Sequence, residues 1–158
     1  MDDNLLINSS SEPIILVVDD LKQNLKLLNV ILESANYQTS LATSGRDALE
    51  RLKVLTPDLI LLDLMMPEMS GLEVCRIIKS HPEYRDIPVI FLTASVEESH
   101  LVEAYSLGAS DYVTKPFRKP ELLARIATQI TLRRQAQLIR QLQEEIRQLK
   151  QCLNSTPR

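Results

Sequence analysis

Apolar positions along the chain fall into two alternating rhythms. Ile14 to Val18 is an unbroken, largely β-branched run that ends on Asp19 and Asp20, the pattern of a parallel strand covered on both faces. Behind it Leu21, Leu25, Leu28, Ile31 and Leu32 recur at helical spacing and predict a first helix to about Ala35. A second strand is expected from Tyr37 to Ala42. Ala48, Leu49 and Leu52 predict a second helix over Gly45 to Leu55, and Thr56-Pro57 stops it ahead of the apolar run Leu59 to Leu62, a third strand that delivers Asp63. Gly71 opens a third helix through Leu72, Val74, Cys75, Ile77 and Ile78. His81-Pro82 ends it, and Pro88 precedes a fourth strand, Val89 to Leu92, with Thr93 at its exit. A fourth helix over Glu97 to Leu107 ends at Gly108, and Asp111 to Thr114 forms a short fifth strand leading into Lys115-Pro116. A long last helix begins near Pro120. Ahead of the first strand, residues 1–12 carry Asp2, Asp3 and three serines from Ser9, the composition of a flexible tail.

Five strands alternating with five helices over short links specify an α/β doubly wound sheet with helices on both faces. Ligands of such sheets bind beyond the carboxyl ends of the strands, where the strand order reverses. The polar residues stand at those ends: Asp19 and Asp20 after the first strand, Asp63 after the third, Thr93 after the fourth and Lys115 after the fifth.

Three carboxylates gathered at one sheet edge repel one another unless a cation sits among them. With no His or Cys in the set, a hard, oxygen-loving ion such as Mg²⁺ is favoured over zinc, and Mg²⁺ commonly keeps coordination sites for waters and a phosphoryl oxygen. A carboxylate can attack phosphorus to form an acyl phosphate when the charge on the transferring oxygens is neutralised, a task for the metal and Lys115. A Thr93 hydroxyl can then hydrogen-bond the new phosphoryl group and so register its arrival. Taken singly, an Asp or Thr at a strand end is more often a helix cap or turn former. The constellation carries the assignment.

Composition narrows the class further. A chain of 158 residues, 44% hydrophobic, suits one compact domain and an appendage. The sequence holds neither an apolar run of about 18 residues nor a signal-peptide pattern, so a cytoplasmic protein with no membrane association is expected. Cys75 and Cys152 lie at no metal-ligand spacing and read as idle thiols. The net charge of −3 conceals a division: residues 1–117 hold 18 acids and 9 bases, residues 118–158 hold 3 acids and 9 bases. The tail's arginines are interleaved with Gln and have no aromatic platform, so a solvated helix face is favoured over direct DNA binding, and no helix-turn-helix pattern follows.

The segments Val17-Val18-Asp19-Asp20, Leu61-Leu62-Asp63-Leu64-Met65-Met66-Pro67 to Gly71, Phe91-Leu92-Thr93-Ala94 and Asp111-Tyr112-Val113-Thr114-Lys115-Pro116-Phe117 together resemble the receiver domains of two-component response regulators. The resemblance covers about Ile14 to Ile130. It implies a flavodoxin-like five-stranded sheet in the order 2-1-3-4-5. It also implies a phosphoryl group passed to Asp63 from the phosphohistidine of a sensor histidine kinase or phosphotransfer protein, with Mg²⁺ held by Asp19, Asp20, Asp63 and the backbone carbonyl of Met65. Thr93 and Lys115 contact the phosphoryl group, Tyr112 turns inward when Thr93 moves, and the Lys115-Pro116 bond is cis. Such a protein is a phosphoacceptor switch rather than a turnover enzyme. Haloacid-dehalogenase-type phosphatases need a second acid two positions after the nucleophile, and Met65 stands there. Apolar Met65 and small Ser95 offer little to orient an attacking water, so slow loss of the phosphoryl group is expected. The alternative is a phosphorylation-independent pseudo-receiver that acts as a dimerisation or scaffold module, which the complete set Asp20, Asp63, Thr93 and Lys115 opposes.

The last helix runs past the expected receiver boundary. The reading divides the chain into a tail at 1–12, a receiver domain at 13–131, a helical coiled-coil extension at 132–153 and a frayed end at 154–158. Ile139, Leu142, Ile146, Leu149 and Leu153 are spaced three, four, three, four, with β-branched a and Leu d positions that favour a parallel two-stranded coil. Glu145 at g and Lys150 at the following e′ make a pair across two chains. Upstream the seam weakens, with Leu132 at a but Gln135 at d. A parallel homodimer through this helix is expected, against a lone amphipathic helix folded back on the receiver. Arg118 and Arg125 are further candidates for a receiver-to-receiver contact. Asn154 to Arg158 hold no output domain, so the chain is either a fragment of a longer regulator or uses the coil as its output.

Overall fold

A computed structural model describes residues 11–94 and 98–155. Its elements follow the predicted order: β1 (Ile14–Val18), α1 (Lys22–Ser34), β2 (Gln38–Ala42), α2 (Gly45–Leu52), β3 (Leu59–Asp63), α3 (Gly71–Ser80), β4 (Val89–Thr93), α4 (Glu98–Ser106), β5 (Asp111–Thr114) and α5 (Lys119–Asn154). All strand pairings are parallel and the sheet order is β2-β1-β3-β4-β5, the order the family resemblance implies.

Because side chains alternate across a strand, each buried run feeds two cores. Ile15 and Val17 of β1, Leu59 and Leu61 of β3, and Ile90 and Leu92 of β4 pack with Leu25, Leu28 and Leu32 of α1 and Leu122, Ile126 and Ile130 of α5. The intervening Leu16, Val18, Ile60, Leu62, Val89 and Phe91 pack against Val74, Cys75 and Ile78 of α3, with Ala48 and Leu52 of α2. Two covered faces explain why these strands read as continuous apolar runs.

The boundaries move by a few residues, each for a local reason. α2 ends at Leu52 rather than Leu55, since Lys53 and Val54 close a turn through hydrogen bonds to Glu50 and Arg51 carbonyls. β2 begins at Gln38, because Asn36 takes a positive φ of 65° and Tyr37 closes back on the Leu32 carbonyl. α3 begins with a capping box, Ser70 accepting from the Glu73 amide and Glu73 accepting from the Ser70 amide, a pairing absent from the sequence reading. Gly108 ends α4 at a φ of 97°, where an L side chain would be strained.

The tenth element departs most from a closed domain. α5 is 36 residues long, about 54 Å at the helical rise. Its first three turns bury Leu122, Ile126 and Ile130. From Arg134 to Ser155 every residue is exposed, so the helix projects from the body instead of folding back on it. Asn154 is its last residue, and residues 156–158 of the expected frayed end lie outside the described residues.

Candidate functional site

The site lies at the carboxyl end of the sheet, and the strand register assembles it. Val18 of β1 pairs with Leu62 of β3, so one more step along each strand sets Asp19 beside Asp63. Asp63 pairs with Leu92, and Thr93 pairs with Thr114 of β5. The ladder continues through a hydrogen bond from the Lys115 amide to the Thr93 carbonyl at 2.8 Å, which fixes Lys115 at the same edge. The Lys115-Pro116 bond that follows is cis.

Three of the predicted acids meet there. Carboxylate oxygens of Asp19, Asp20 and Asp63 all lie within 4.8 Å of one another. Asp19 and Asp63 are buried and Asp20 is half-buried. The Lys115 ammonium sits between the two buried acids, 3.0 Å from Asp19 Oδ2 and 3.4 Å from Asp63 Oδ1. The family resemblance implies that Lys115 contacts the phosphoryl group; within the chain its shorter contact is with Asp19.

Asp19 is held by more than this ion pair. Its Oδ1 accepts the Leu21 amide at 2.9 Å, an Asx-turn that launches α1, and its Oδ2 accepts from Asn24 Nδ2 at 3.1 Å. The turn-forming role that a strand-end Asp takes by default therefore coexists with the site role. Asn24 was missed by the sequence reading. Its only signal is a polar amide in the first turn of α1, on the side facing the strand end.

Asp63 carries the electrostatic consequence. Its carboxyl is raised to about 6, chiefly by burial and further by the neighbouring Asp19, against the opposing pull of Lys115. The Met65 amide, 3.4 Å from Asp63 Oδ1, adds a long and weak donor. A buried carboxylate that resists ionisation beside two further acids is a site short of positive charge. An all-oxygen donor set short of positive charge fits a hard divalent cation and is a poor fit for zinc.

Backbone approach around Asp63 is equally tight. The Gly71 amide bonds the Leu64 carbonyl at 3.0 Å, and a Cβ at Gly71 would stand 2.1 Å from the Asp63 carbonyl oxygen. Gly71 therefore serves the site as well as the start of α3. Met65 is largely exposed, which leaves its apolar side chain at the mouth. Thr93 is buried at the end of β4. Tyr112 pairs in register with Phe91 and sets its ring edge-on to Tyr105 of α4 at 6.1 Å, half-buried against the α3 side of the core. Ser95, the other residue of the slow-dephosphorylation expectation, lies outside the described residues, as do residues 1–10, most of the predicted tail.

Comparison with known proteins agrees with this geometry. The family model for the response regulator receiver domain matches residues 15–127. The phosphate regulon transcriptional regulatory protein PhoB of Rhizobium meliloti (strain 1021) is 43% identical over 114 residues, 72% of this chain and 50% of that protein, so the chain spans about half the length of this curated relative. The receiver domain of a signal transduction histidine kinase from Syntrophus aciditrophicus superposes with a TM-score of 0.71 at 37% identity, covering 75% of this chain and 90% of that one. The receiver domain of sensor histidine kinase PA1611 from Pseudomonas aeruginosa PAO1, solved with a magnesium ion coordinated in the active site cleft, gives a TM-score of 0.71 at 28% identity over 77% of this chain and 99% of that one. With strand order, acid cluster and lysine in agreement, the chain belongs to the response regulator receiver domains of two-component systems.

Proposed function

We propose that this receiver accepts a phosphoryl group on Asp63 from the phosphohistidine of a sensor histidine kinase or phosphotransfer protein. The observation that carries the reading is the buried Asp63 carboxylate bracketed by Asp19, Asp20 and Lys115 at the open end of the sheet. An Asp63 oxygen attacks phosphorus, the phosphorus–nitrogen bond breaks, and the imidazole keeps the electron pair. Lys115 offsets charge on the transferring oxygens and orients Asp63. Asp19, Asp20, Asp63 and the Met65 carbonyl would hold Mg²⁺, which supplies further neutralisation of those oxygens when bound. Thr93 then contacts the phosphoryl group, and Tyr112, on the neighbouring strand opposite Phe91, responds by repacking against α4.

The exposed seam of α5, Ile139, Leu142, Ile146, Leu149 and Leu153, supports a parallel homodimer. Apolar side chains at these spacings stay in water unless a partner covers them. Phosphorylation alters that dimer or what it contacts, and the protein acts as a cytoplasmic switch rather than a turnover enzyme. PhoB is named as a transcriptional regulator; the arginines of α5 here are interleaved with Gln and lack an aromatic platform, so direct DNA contact by these residues is not part of this reading.

The test is a small phosphodonor with Mg²⁺, followed by intact mass and light scattering. Wild type gains one phosphoryl mass and Asp63→Asn gains none. A wild type that gains no mass yet dimerises would replace the phosphoacceptor with the pseudo-receiver reading. A monomer at every concentration, phosphorylated or not, would remove the coil.

A further inference from the structure

α5 serves two partners on opposite faces. At about 100° per residue, the stripe Leu122, Ile126, Ile130 and Arg133 that faces the receiver lies roughly 180° around the helix from the seam of Ile139, Leu142, Ile146 and Leu149. The receiver stripe ends in a charged residue where the helix is about to leave the body. Arg133 Nη1 donates to the Pro57 carbonyl at 2.8 Å and stands 3.6 Å from Asp58 Oδ1. Its side chain is only 12% exposed, although its neighbours on α5 are open to solvent. Asp58 is fixed in turn, because its other oxygen accepts the Ile14 amide at 2.9 Å. Pro57 and Asp58 form the foot of β3, the strand that carries Asp63 at its other end.

An arginine here is a costly choice for packing alone. Its Nε is buried with no hydrogen-bond partner among the described residues, and burial lowers its affinity for the proton while Asp58 restores part of it. An apolar side chain at this place would extend the Leu122–Ile130 stripe without that cost. What the guanidinium adds is direction: a planar donor aimed at one carbonyl and one carboxylate tolerates a narrow range of helix rotations.

We infer that Arg133 is a positioning residue that clamps α5 to the foot of β3 and sets the direction in which the helix leaves the receiver, turning its apolar seam away from the body toward a second copy. The partner in this statement rests on the homodimer reading above, whereas the clamp is internal to one chain. Two turns further, the exposed pair between Arg140 and Asp86 at 3.1 Å extends the same alignment more weakly.

Spin labels at Lys26 of α1 and Gln151 of α5, both exposed, measure the clamp in the full chain carrying Cys75→Ala and Cys152→Ser. Labelled protein is diluted into an excess of unlabelled protein, so that distances within one chain dominate. Wild type gives one narrow distance distribution. Arg133→Met, which keeps the aliphatic stem, widens it at least twofold or shifts its maximum, and Arg133→Lys, which keeps one donor to the Pro57 carbonyl, restores part of the width. A wild-type distribution in Arg133→Met overturns the inference, as does an equal widening in Met and Lys variants, which would mark general loosening. The distances are read without phosphodonor, so failure of Asp63 to accept a phosphoryl group leaves this result intact.

Discussion

The two ends of α5 belong to different regimes of physical chemistry. At its start the helix is one wall of a buried core, beside a site whose buried charges are held by their neighbours: Lys115 between Asp19 and Asp63, and Asp19 also by the Leu21 amide and Asn24. At its far end the same helix carries exposed apolar residues, Ile139, Leu142, Ile146 and Leu149, that belong to neither buried core. The first region is finished within one chain. In the proposed dimer, a second copy covers the second. Perturbations should therefore act at one end and leave the other untouched.

The largest effect is expected from Gly71→Ala. A methyl group 2.1 Å from the Asp63 carbonyl oxygen meets backbone, not a side chain that can swing away. Either the start of α3 or the end of β3 must shift, at a cost of about 3 kcal/mol or more. Thermal unfolding will read that loss, and intact mass after phosphodonor treatment will show reduced gain at Asp63. The separation of the two ends fails if Gly71→Ala also abolishes dimerisation in protein that remains folded.

Ile146→Asp makes the reciprocal cut. The side chain is half-exposed within one chain, so removing it should leave the receiver's unfolding midpoint in place. Placed at a core a position of a coil, a carboxylate should raise the dimer dissociation constant about a hundredfold. Analytical ultracentrifugation measures this, with Asp63 phosphorylation at the wild-type level as the internal control. An unchanged sedimentation profile would show that the seam is not the dimer contact.

What the sequence made legible follows the same division. Strand runs such as Leu59 to Leu62 are covered on both faces, so their pattern is continuous and their ends mark the site: Asp19, Asp20, Asp63, Thr93 and Lys115 all reach the carboxyl edge of the sheet. The heptad spacing of α5 was readable because that face is exposed and its pattern is set by the helix alone from Ile139 to Leu149. Asn24 was not, since a polar residue in a helix's first turn looks the same whether it bonds water or Asp19. Nor was Arg133: among Arg134, Arg140 and Arg147 it reads as one more surface base, and its burial depends on Pro57 and Asp58, some 75 residues away along the chain. The preference of Lys115 for Asp19 over Asp63 lay beyond sequence for the same reason, being a matter of tenths of an ångström.

A smaller effect comes from the charge shortage at the site. In metal-free protein Asp63 holds its proton up to about pH 6, well above an unfolded aspartate near 3.8. Between those values the folded state binds more protons than the unfolded state, so this group's contribution falls as pH rises through that window and stays low above it. Asp63→Asn removes the penalty and should stabilise the metal-free protein by about 1–2 kcal/mol at pH 7, with little gain near pH 4. Denaturant titrations at the two pH values in chelator check the sign. Adding Mg²⁺ should narrow the difference, because a cation among the acids relieves the same repulsion. A destabilised Asp63→Asn at pH 7 would mean that Lys115 alone already satisfies the buried carboxylate.

The smallest effect separates the two arginine contacts that α5 makes below Ile130. Arg140 and Asp86 are each more than half exposed, so water screens their attraction and both side chains lose freedom in forming it. A double-mutant cycle with Arg140→Ala and Asp86→Ala should return a coupling below about 0.5 kcal/mol, fading further in high salt. Arg133 and Asp58 lie at a larger separation, 3.6 Å against 3.1 Å, yet they are more buried, and Arg133 also holds the Pro57 carbonyl. If contact distance ruled, Arg140 would be the stronger anchor. If burial rules, the cycle with Arg133→Met and Asp58→Asn should exceed the Arg140 cycle at least twofold and change little with salt. Equal couplings would move the exit point of the helix two turns further along α5, to Arg140, and would leave Arg133 as a buried cost with no positioning role.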